Sequence, residues 1–355
     1  MMTSPEVKEY QRRAKKKLVW AAVFVVIIFL LSIYSLSVST YTMSFAEAYQ
    51  VLINHILGIE PTTITDIIRD KIVVGLTAPR TIAAVFVGGV LAVCGAVMQS
   101  ITRNPLADPY TIGISSAALF GTSLTVALGI SIIPFLGHDV AIASNAFVFA
   151  LIPALAIVFV SSFKKMSPNM MILIGIGMMY LFTAATTFVK FNASEEALQE
   201  IYEWSLGTLS KINWDSILPL AVAFVMALLV FMMVSNRINV LSAGDNMSRS
   251  LGENPIRLRV VCFVIVSVTT AIAVCYTGTI GFVGLVAPHI ARLFVGSDNK
   301  ILIPVSAILG AIMISATDCL VRLLPGGLPC GVMTAMIGAP IFVFILYKQR
   351  KKAAF

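Results

Sequence analysis

Apolar runs of about 20 residues recur along the whole 355-residue chain, separated by shorter polar and charged stretches. An α-helix of that length matches the hydrocarbon thickness of a bilayer. The pattern therefore predicts ten membrane-spanning helices, at approximately 18–40, 79–99, 111–131, 141–161, 169–190, 216–235, 259–276, 282–296, 301–322 and 331–347. The eighth is short, which is typical of a helix that is tilted, buried by protein, or only part of a span.

Composition agrees with this interpretation. The chain is 58% hydrophobic and only 12% charged, whereas a soluble domain carries roughly 25% charged residues. So little charge would leave a soluble core without a solvated surface, so the sequence predicts an all-α, polytopic membrane protein with a single transmembrane domain over residues 1–355. The net charge of +8 does not indicate nucleic-acid binding, because the basic residues form short clusters between apolar spans.

The distribution of lysine and arginine predicts an orientation. If the basic segment 1–17 is cytoplasmic, 19 of the 25 basic residues fall in cytoplasmic segments and 6 outside. This is the bias of the positive-inside rule, and an even number of spans also returns the basic C-terminus to the cytoplasm. We expect an inner-membrane protein with both termini cytoplasmic and a retained first span, because the first apolar run is longer than that of a signal peptide.

Two outer loops, 41–78 and 191–215, then hold most of the external acidic residues. Within the second loop, the segment from Glu195 to Leu209 has helical spacing. Leu198, Ile201, Tyr202 and Leu206 are expected to share one face of a short amphipathic helix near the outer surface.

No pattern for catalysis, a cofactor or a metal ion is apparent. The chain has no phosphate-binding G-x-x-x-x-G-K-[ST] loop, no H-E-x-x-H motif and no C-x-x-C pair, and its three histidines are far apart in sequence. Asp318 and Arg322 are four residues apart, which indicates either a local ion pair or two charges at the outer rim. An ion-coupled transporter would need a charged site at the midplane, and intramembrane charge is scarce.

Three stretches are distinctive. The first runs from Ala78-Pro79-Arg80-Thr81 through spaced glycines to a sharp cytoplasmic turn at residues 102–109, TRNPLADP. The second is a polar segment of about 20 residues that begins at Leu241. The third covers residues 278–292, GTIGFVGLVAPHIAR, and is followed by Leu328-Pro329-Cys330-Gly331 and Ile337-Gly338-Ala339-Pro340.

Together these motifs, in this order and over nearly the whole chain, resemble the FecCD permease family of iron–siderophore, haem and vitamin B12 importers. The resemblance implies a type II ABC importer permease fold of ten helices. It also implies a dimer with a second permease subunit, most simply a second copy, together with two ATP-binding-cassette ATPase subunits and an external substrate-binding protein. The permease itself would hydrolyse no ATP. Iron–siderophore is the expected substrate, with cobalamin and haem as alternatives.

Residues 242–253 are then expected to form a cytoplasmic coupling helix that contacts an ATPase. Ser242 is suited to cap it, Asp245 to occupy its first turn and Gly252 to end it. A plain charged loop is the alternative interpretation of the same residues. The expected coupling residues are Ser242, Gly244, Asp245, Met247, Leu251 and Gly252. Met247 and Leu251 are four residues apart, which predicts a small apolar face for contact with the ATPase.

Arg80 and Arg322 match the positions at which family permeases present arginines to acidic residues of the binding protein. The family motif often reads Arg-Leu-Pro-Arg, whereas this chain has Thr77-Ala78-Pro79-Arg80. One arginine is missing, so Arg69 or Lys71 is expected to contribute to docking.

Two proline-containing positions are expected to break helices in regions that move or gate: Asn104-Pro105 and Pro288-His289. The alternative for the second pair is that Pro288 kinks a static helix and that His289 is satisfied by a neighbour. Neither reading makes His289 a metal ligand.

Overall fold

The computed structural model describes residues 5–39, 41, 43–133, 135, 137–163 and 167–353. Lys164 and Lys165, which contribute to the charge distribution above, lie outside these residues, as do the first four residues of the N-terminal segment. Each predicted span contains a helix, although the helix boundaries differ from the predicted ones by several residues. The α-helices are Pro5–Ser37 (α1), Phe45–Ile56 (α2), Ile64–Asp70 (α3), Ala78–Thr102 (α4), Ile114–Leu128 (α5), His138–Phe163 (α6), Pro168–Phe191 (α7), Glu195–Ser205 (α8), Trp214–Met233 (α9), Ser235–Ser242 (α10), Asp245–Ser250 (α11), Pro255–Thr277 (α12), Val283–Val295 (α13), Asn299–Leu323 (α14) and Cys330–Ala353 (α15).

The prediction of ten apolar spans is confirmed. Seven helices among the described residues are long and apolar enough to cross a membrane, and three shorter apolar helices complete the set. The three shorter ones are α5, α13 and part of α15. Helix α13 is the predicted short eighth span.

Helix α4 lies at the centre of the bundle. In an 18-residue apolar stretch of the span that contains α4, 83% of the residues are buried within the chain, against 11% in the corresponding stretch of α1. Small residues permit this burial, because a Cβ atom on Gly88 would collide with the backbone of Gly310 in α14, and one on Gly95 would collide with Gly284 in α13. Glycines thus bring α13 and α14 into backbone contact with α4.

The sequence predicts no helix in the loop 41–78, yet much of it is helical. Helix α2 begins with a capping box in which the Ser44 side chain accepts a hydrogen bond from the Glu47 backbone N–H while Glu47 reaches back to the backbone of Ser44. Helix α3 continues through a π-helical segment, Lys71–Thr77, directly into α4. The second span is therefore the end of a 39-residue helical stretch, Ile64–Thr102.

The predicted surface helix at Glu195 is present as α8. Its buried face differs from the prediction, because Ala197 and Ile201 are buried while Tyr202 is 60% exposed. The acidic residues of its first turn and the Ser194 cap stabilise its beginning.

Candidate functional site

Two clusters of charged residues lie at the two ends of α4. We call the end where α4 begins the Asp318 end and the end where it finishes the Asp245 end, after the carboxylate at the centre of each cluster. A 25-residue helix separates them by about 37 Å, at 1.5 Å per residue.

At the Asp245 end, the expected coupling segment 242–253 contains one short helix, α11. It follows Gly244, whose φ is 122°, and is succeeded by Gly252, whose φ is 80°. Both glycines adopt backbone conformations that other residues rarely take, which explains their place in this sequence. The prediction that Ser242 caps this helix is wrong. Ser242 is the last residue of α10, where its hydroxyl donates to the backbone oxygens of Ile238, at 2.9 Å, and of Ser100, at 3.2 Å.

Asp245 fastens α11 to the core. The fully buried Arg259 of α12 donates from Nη1 to Asp245 Oδ2 at 2.9 Å and from Nε to the backbone oxygen of Ile101 at 2.9 Å. Arg103 adds a longer contact of 3.3 Å to Asp245 Oδ1. Hydrogen bonds from Arg259, reinforced by the neighbouring arginine charges, hold the pKa of Asp245 below its usual value.

A second network joins α10, α14 and the end of α4. The Asn239 side-chain oxygen accepts from the Asn299 backbone at 2.9 Å and from its side chain at 2.7 Å, and the Asn239 amide donates to Asp298 at 2.8 Å. Ser100 of α4 donates to the Asn299 side chain at 2.9 Å. The sequence does not predict this network, since no periodicity links two amides and one hydroxyl on three different helices.

The two ends of the region around α11 are also tied together. Arg237 makes a two-pronged contact with Glu253, at 2.7 Å from Nε and 2.8 Å from Nη2. This hydrogen bonding lowers the pKa of the Glu253 carboxyl. The segment between α9 and α12 contains α10 and α11, and the ion pair of Arg237 with Glu253 joins the part before α11 to the part after it.

Met247 and Leu251 remain unburied on this fastened segment. Met247 is 53% exposed and Leu251 57% exposed, one helical turn apart. The structure thus presents the small apolar face that the sequence predicted. Its contact with an ATPase stays a prediction.

At the other end, Asp318 lies between two arginines. Its side chain is fully buried, with Oδ1 2.7 Å from Arg80 and Oδ2 3.0 Å from Arg322. Arg322 Nη1 also donates to the backbone oxygens of Ser35, at 2.9 Å, and Val38, at 2.8 Å. The cluster therefore holds α1, α4 and α14 together at this end.

These contacts change the interpretation of the predicted docking residues. Asp318 and Arg322 form the local ion pair that their spacing indicated. Arg322 is only 9% exposed, so it is not a free rim charge in this structure, whereas Arg80 keeps a partly exposed edge. Arg69 pairs with Glu47 at 2.5 Å, and Lys71 is exposed at the start of the π-helical segment. The docking role of all four residues stays a prediction.

The first predicted helix break is present in the structure. Arg103 has a left-handed φ of 52°, and Asn104 Oδ1 accepts from the Leu106 N–H at 2.9 Å, which stabilises the turn after α4. The second is wrong in position, because α13 continues through Pro288 and His289. The irregular backbone lies just before α13, where Phe282 has a φ of 68°.

His289 is satisfied by neighbours, as the alternative interpretation held. Its Nδ1 donates to the Leu285 backbone oxygen at 2.9 Å, and its ring meets Phe342 of α15 edge-on with centroids 5.3 Å apart. No group of three or more potential metal ligands occurs among the described residues. A gating role for Asn104, Pro105, Pro288 and His289 stays a prediction.

The chain is similar to proteins of one transport family over most of its length. The profile of the FecCD transport family matches residues 25–348. A Helicobacter pylori (strain J99) protein, named provisionally as an iron chelatin transport system permease protein, is 36% identical over 79% of this chain and 83% of its own length. The cobalamin import system permease protein BtuC of Halobacterium salinarum is 33% identical over 80% of this chain and 75% of its own.

A solved structure supports the same assignment at the level of the fold. It is described as an inward-facing conformation of an ABC transporter classed, provisionally, as of metal-chelate type. It superposes with a TM-score of 0.79 and 28% identity, covering 92% of this chain and 98% of the other. The ten apolar helices, the ordered motifs and these matches together lead to one conclusion: this chain is a multi-pass membrane protein that belongs to the FecCD transport family of ABC transporter permeases.

Proposed function

We propose that this chain is the permease subunit of an ATP-driven importer that moves an iron–siderophore or similar metal chelate across the cytoplasmic membrane. It would act as a dimer with a second permease, most simply a second copy. Two separate ATPase subunits would hydrolyse ATP on the cytoplasmic side, and an external binding protein would deliver the chelate. The name of the Helicobacter relative supports iron chelate as the first choice of substrate.

One observation carries the proposal: an exposed apolar pair, Met247 of α11 and Leu251 directly after α11, belongs to a segment that Asp245 and Arg259 fasten to the central helix. Asp245 links α11 through Arg259 to the backbone of α4, so a push on Met247 and Leu251 reaches the core without first bending a flexible loop. A subunit driven by separate ATPases needs such a rigid contact. Burying both side chains against a partner would contribute about 2–4 kcal/mol, since each is already partly covered.

The proposed orientation places the Asp245 end in the cytoplasm. The lysine and arginine distribution supports this choice, with 19 of 25 basic residues then inside. Residues 1–17 and the C-terminus would be cytoplasmic, and Asp318 would lie at the outer end. The exposed Lys71 and the exposed edge of Arg80 would then face the external binding protein. The buried Arg322 would hold in place Asp318, the carboxylate that binds Arg80.

The coupling role is tested with two charge substitutions on the same helix. Met247→Asp places a carboxylate in the apolar face, and Asn246→Asp places the same charge on the neighbouring exposed residue. We expect Met247→Asp to lower both ATPase co-purification and chelate uptake at least several-fold, and Asn246→Asp to leave both close to the unsubstituted protein. Both positions are exposed, so membrane insertion should not change.

Unchanged uptake and unchanged ATPase retention in Met247→Asp would refute the contact between α11 and the ATPase. Equal losses in both variants would attribute the effect to charge at this end and not to the apolar face. Uptake is measured with ferric siderophore, cobalamin and haem in parallel. Cobalamin is the second candidate, because the Halobacterium relative is named for it. Uptake of cobalamin or haem alone would overturn the choice of an iron–siderophore as substrate while leaving the permease function intact.

A further inference from the structure

A basic cavity of about 290 Å³ lies at the Asp245 end, beside the last turn of α4 and the last turn of α13. Arg103, Arg292, His289 and the amide of Gln99 line it, together with three serines and a proline. None of the described residues that line it is an aspartate or a glutamate. The wall of the cavity therefore carries two arginines and no acidic side chain.

Arg292 is the least compensated of these charges. Its Nη1 donates to Gln99 Oε1, a neutral acceptor, and it makes no ion pair with any other residue that the structure describes. The Gln99 amide is held in this orientation because its Nε2 donates to the backbone oxygens of Gly284 and Leu285. A half-buried guanidinium with only a neutral partner loses hydration without regaining a full charge interaction.

Arg103 adds to the excess. Its side chain is 44% exposed, and its contact with Asp245 is the longer one, at 3.3 Å. That carboxylate is already engaged by Arg259 through both oxygens. The Asp245 carboxylate thus binds two arginines, Arg103 and Arg259, and makes no ion pair with Arg292. The arrangement therefore favours an additional anion in the cavity.

We propose that this cavity binds the phosphate group of an anionic phospholipid from the bilayer leaflet at this end. Arginine presents a planar fork of donors that matches phosphate oxygens. Basic pockets between the cytoplasmic ends of membrane-spanning helices are suited to such head groups. Leu106 and Leu293, next in sequence to the lining residues Pro105 and Arg292, are 50% and 59% exposed, and we assign the acyl chains to these apolar side chains.

The bound lipid would stabilise the position of α13 relative to the end of α4. Arg292 belongs to α13, while Gln99 and Arg103 belong to α4 and the turn that follows it. A phosphate between them would offset the repulsion of the two arginines. The site adjoins Ser242 and so lies next to the segment 242–253, but the proposal needs only a membrane-embedded chain and does not depend on the transport assignment.

Native mass spectrometry of the full-length chain, released from a mild detergent, tests the site. Phosphatidylglycerol and phosphatidylcholine with identical acyl chains are titrated in turn. We expect at least fivefold stronger retention of phosphatidylglycerol. Arg292→Gln should abolish this preference and Arg292→Lys should retain part of it, since lysine keeps the charge but lacks the planar fork. Arg249→Gln, at an exposed arginine of α11 at the same end, is the matched control and should change nothing.

Four outcomes of the mass-spectrometric experiment would overturn the proposal, and a fifth comes from a separate experiment with phosphate. The four are equal retention of both lipids, an unchanged preference in Arg292→Gln, an equal loss in Arg249→Gln, and loss of the lipid when the ATPase subunits assemble with the chain. The last would assign the cavity to a protein interface. Inorganic phosphate is tested separately by thermal stabilisation without added lipid. If it stabilises the chain through Arg292 as strongly as phosphatidylglycerol does, the site takes a soluble oxyanion and the lipid assignment is wrong. A normal thermal unfolding profile for Arg292→Gln excludes misfolding as the cause of lost binding.

Discussion

Replacing Asp318 with asparagine probes the cluster at the Asp318 end of α4. The carboxylate is fully buried and meets both Arg80 and Arg322. Asparagine keeps the shape and one acceptor oxygen, but it removes the negative charge and turns an amide donor towards one of the arginines. Two guanidinium groups would then share a buried site with no anion.

The magnitude follows from what each arginine retains. Removing one partner of a buried ion pair typically costs about 3–5 kcal/mol. Arg322 keeps its hydrogen bonds to the backbone oxygens of Ser35 and Val38, and Arg80 keeps a partly exposed edge, so the lower figure of about 3 kcal/mol applies. With an unfolding entropy of about 2.1 cal/mol/K per residue, 355 residues give a Tm decrease of about 4 °C. Helices that persist in the unfolded membrane protein lower that entropy, so the decrease should be at least this large.

A thiol-reactive dye measures this unfolding, because all five cysteines are free and buried in the folded chain. Glu60→Gln, the same carboxylate-to-amide change at an exposed loop position, is the control and should shift Tm by less than about 1 °C. Adding Arg80→Gln to Asp318→Asn should cost less than the sum of the two single changes, because it removes one of the unpaired charges. A Tm of Asp318→Asn within 1 °C of the control would refute the reasoning, and strict additivity would show that Arg80 and Asp318 do not interact.

Two further predictions concern packing and pH. Gly95→Ala should lower Tm because the new Cβ collides with the Gly284 backbone. Gly177→Ala has open space around it in α7 and should raise Tm slightly, because alanine has the higher helix propensity. Tm changes of the same sign at the two sites would contradict the packing. Asp245→Asn should destabilise the chain at neutral pH. The pKa of Asp245 is lowered by Arg259, so the contribution of its carboxylate to stability is complete above about pH 5 and is lost as pH falls through and below the ordinary aspartate range near 4. Thermal unfolding of both proteins from pH 3.5 to 8 measures this loss. A Tm difference between the two proteins that does not vary with pH would contradict the prediction.

The spans were predictable because each is specified locally. Twenty apolar residues in a row form a membrane helix almost regardless of their neighbours, and the interruptions at Asn104-Pro105 and Gly278 follow from backbone chemistry. Met247 and Leu251 were predictable for the same reason, since a four-residue spacing within a polar segment already indicates one face.

The errors have a common physical origin. Ser242 carries a good capping side chain, but its hydroxyl bonds to the preceding turn of α10 and to Ser100 of a distant helix. Pro288 breaks many helices, yet here α13 tolerates it within a tightly packed stretch. In both cases tertiary contacts decided between two conformations that local sequence permits about equally.

Arg322 shows the same limit for charge. Near the end of a span, an arginine is read as a rim residue, and its buried partners, the backbone oxygens of Ser35 and Val38, lie 284 to 287 positions earlier in the chain. No pattern within one helix reports such a contact. The four-residue spacing between Asp318 and Arg322 is visible in the sequence, and it predicts only their local ion pair.

The placement of the two clusters suggests how α4 takes part in transport. At one end Arg259 holds the backbone oxygen of Ile101 and thereby ties the segment 242–253 to the last turn of α4, while at the other end Arg80, near the start of α4, grips Asp318 of α14. Between these points α4 contacts its neighbours through glycines, and close backbone packing resists bending. A displacement of the segment 242–253 would therefore move α4 as a rigid unit and transmit force to the ion pairs of Asp318 with Arg80 and Arg322. On this reasoning Asp318→Asn, beyond its effect on stability, should weaken the coupling between ATP hydrolysis and uptake even at temperatures where the protein is fully folded. Normal uptake per ATP hydrolysed in that variant would mean that force crosses the membrane through other helices.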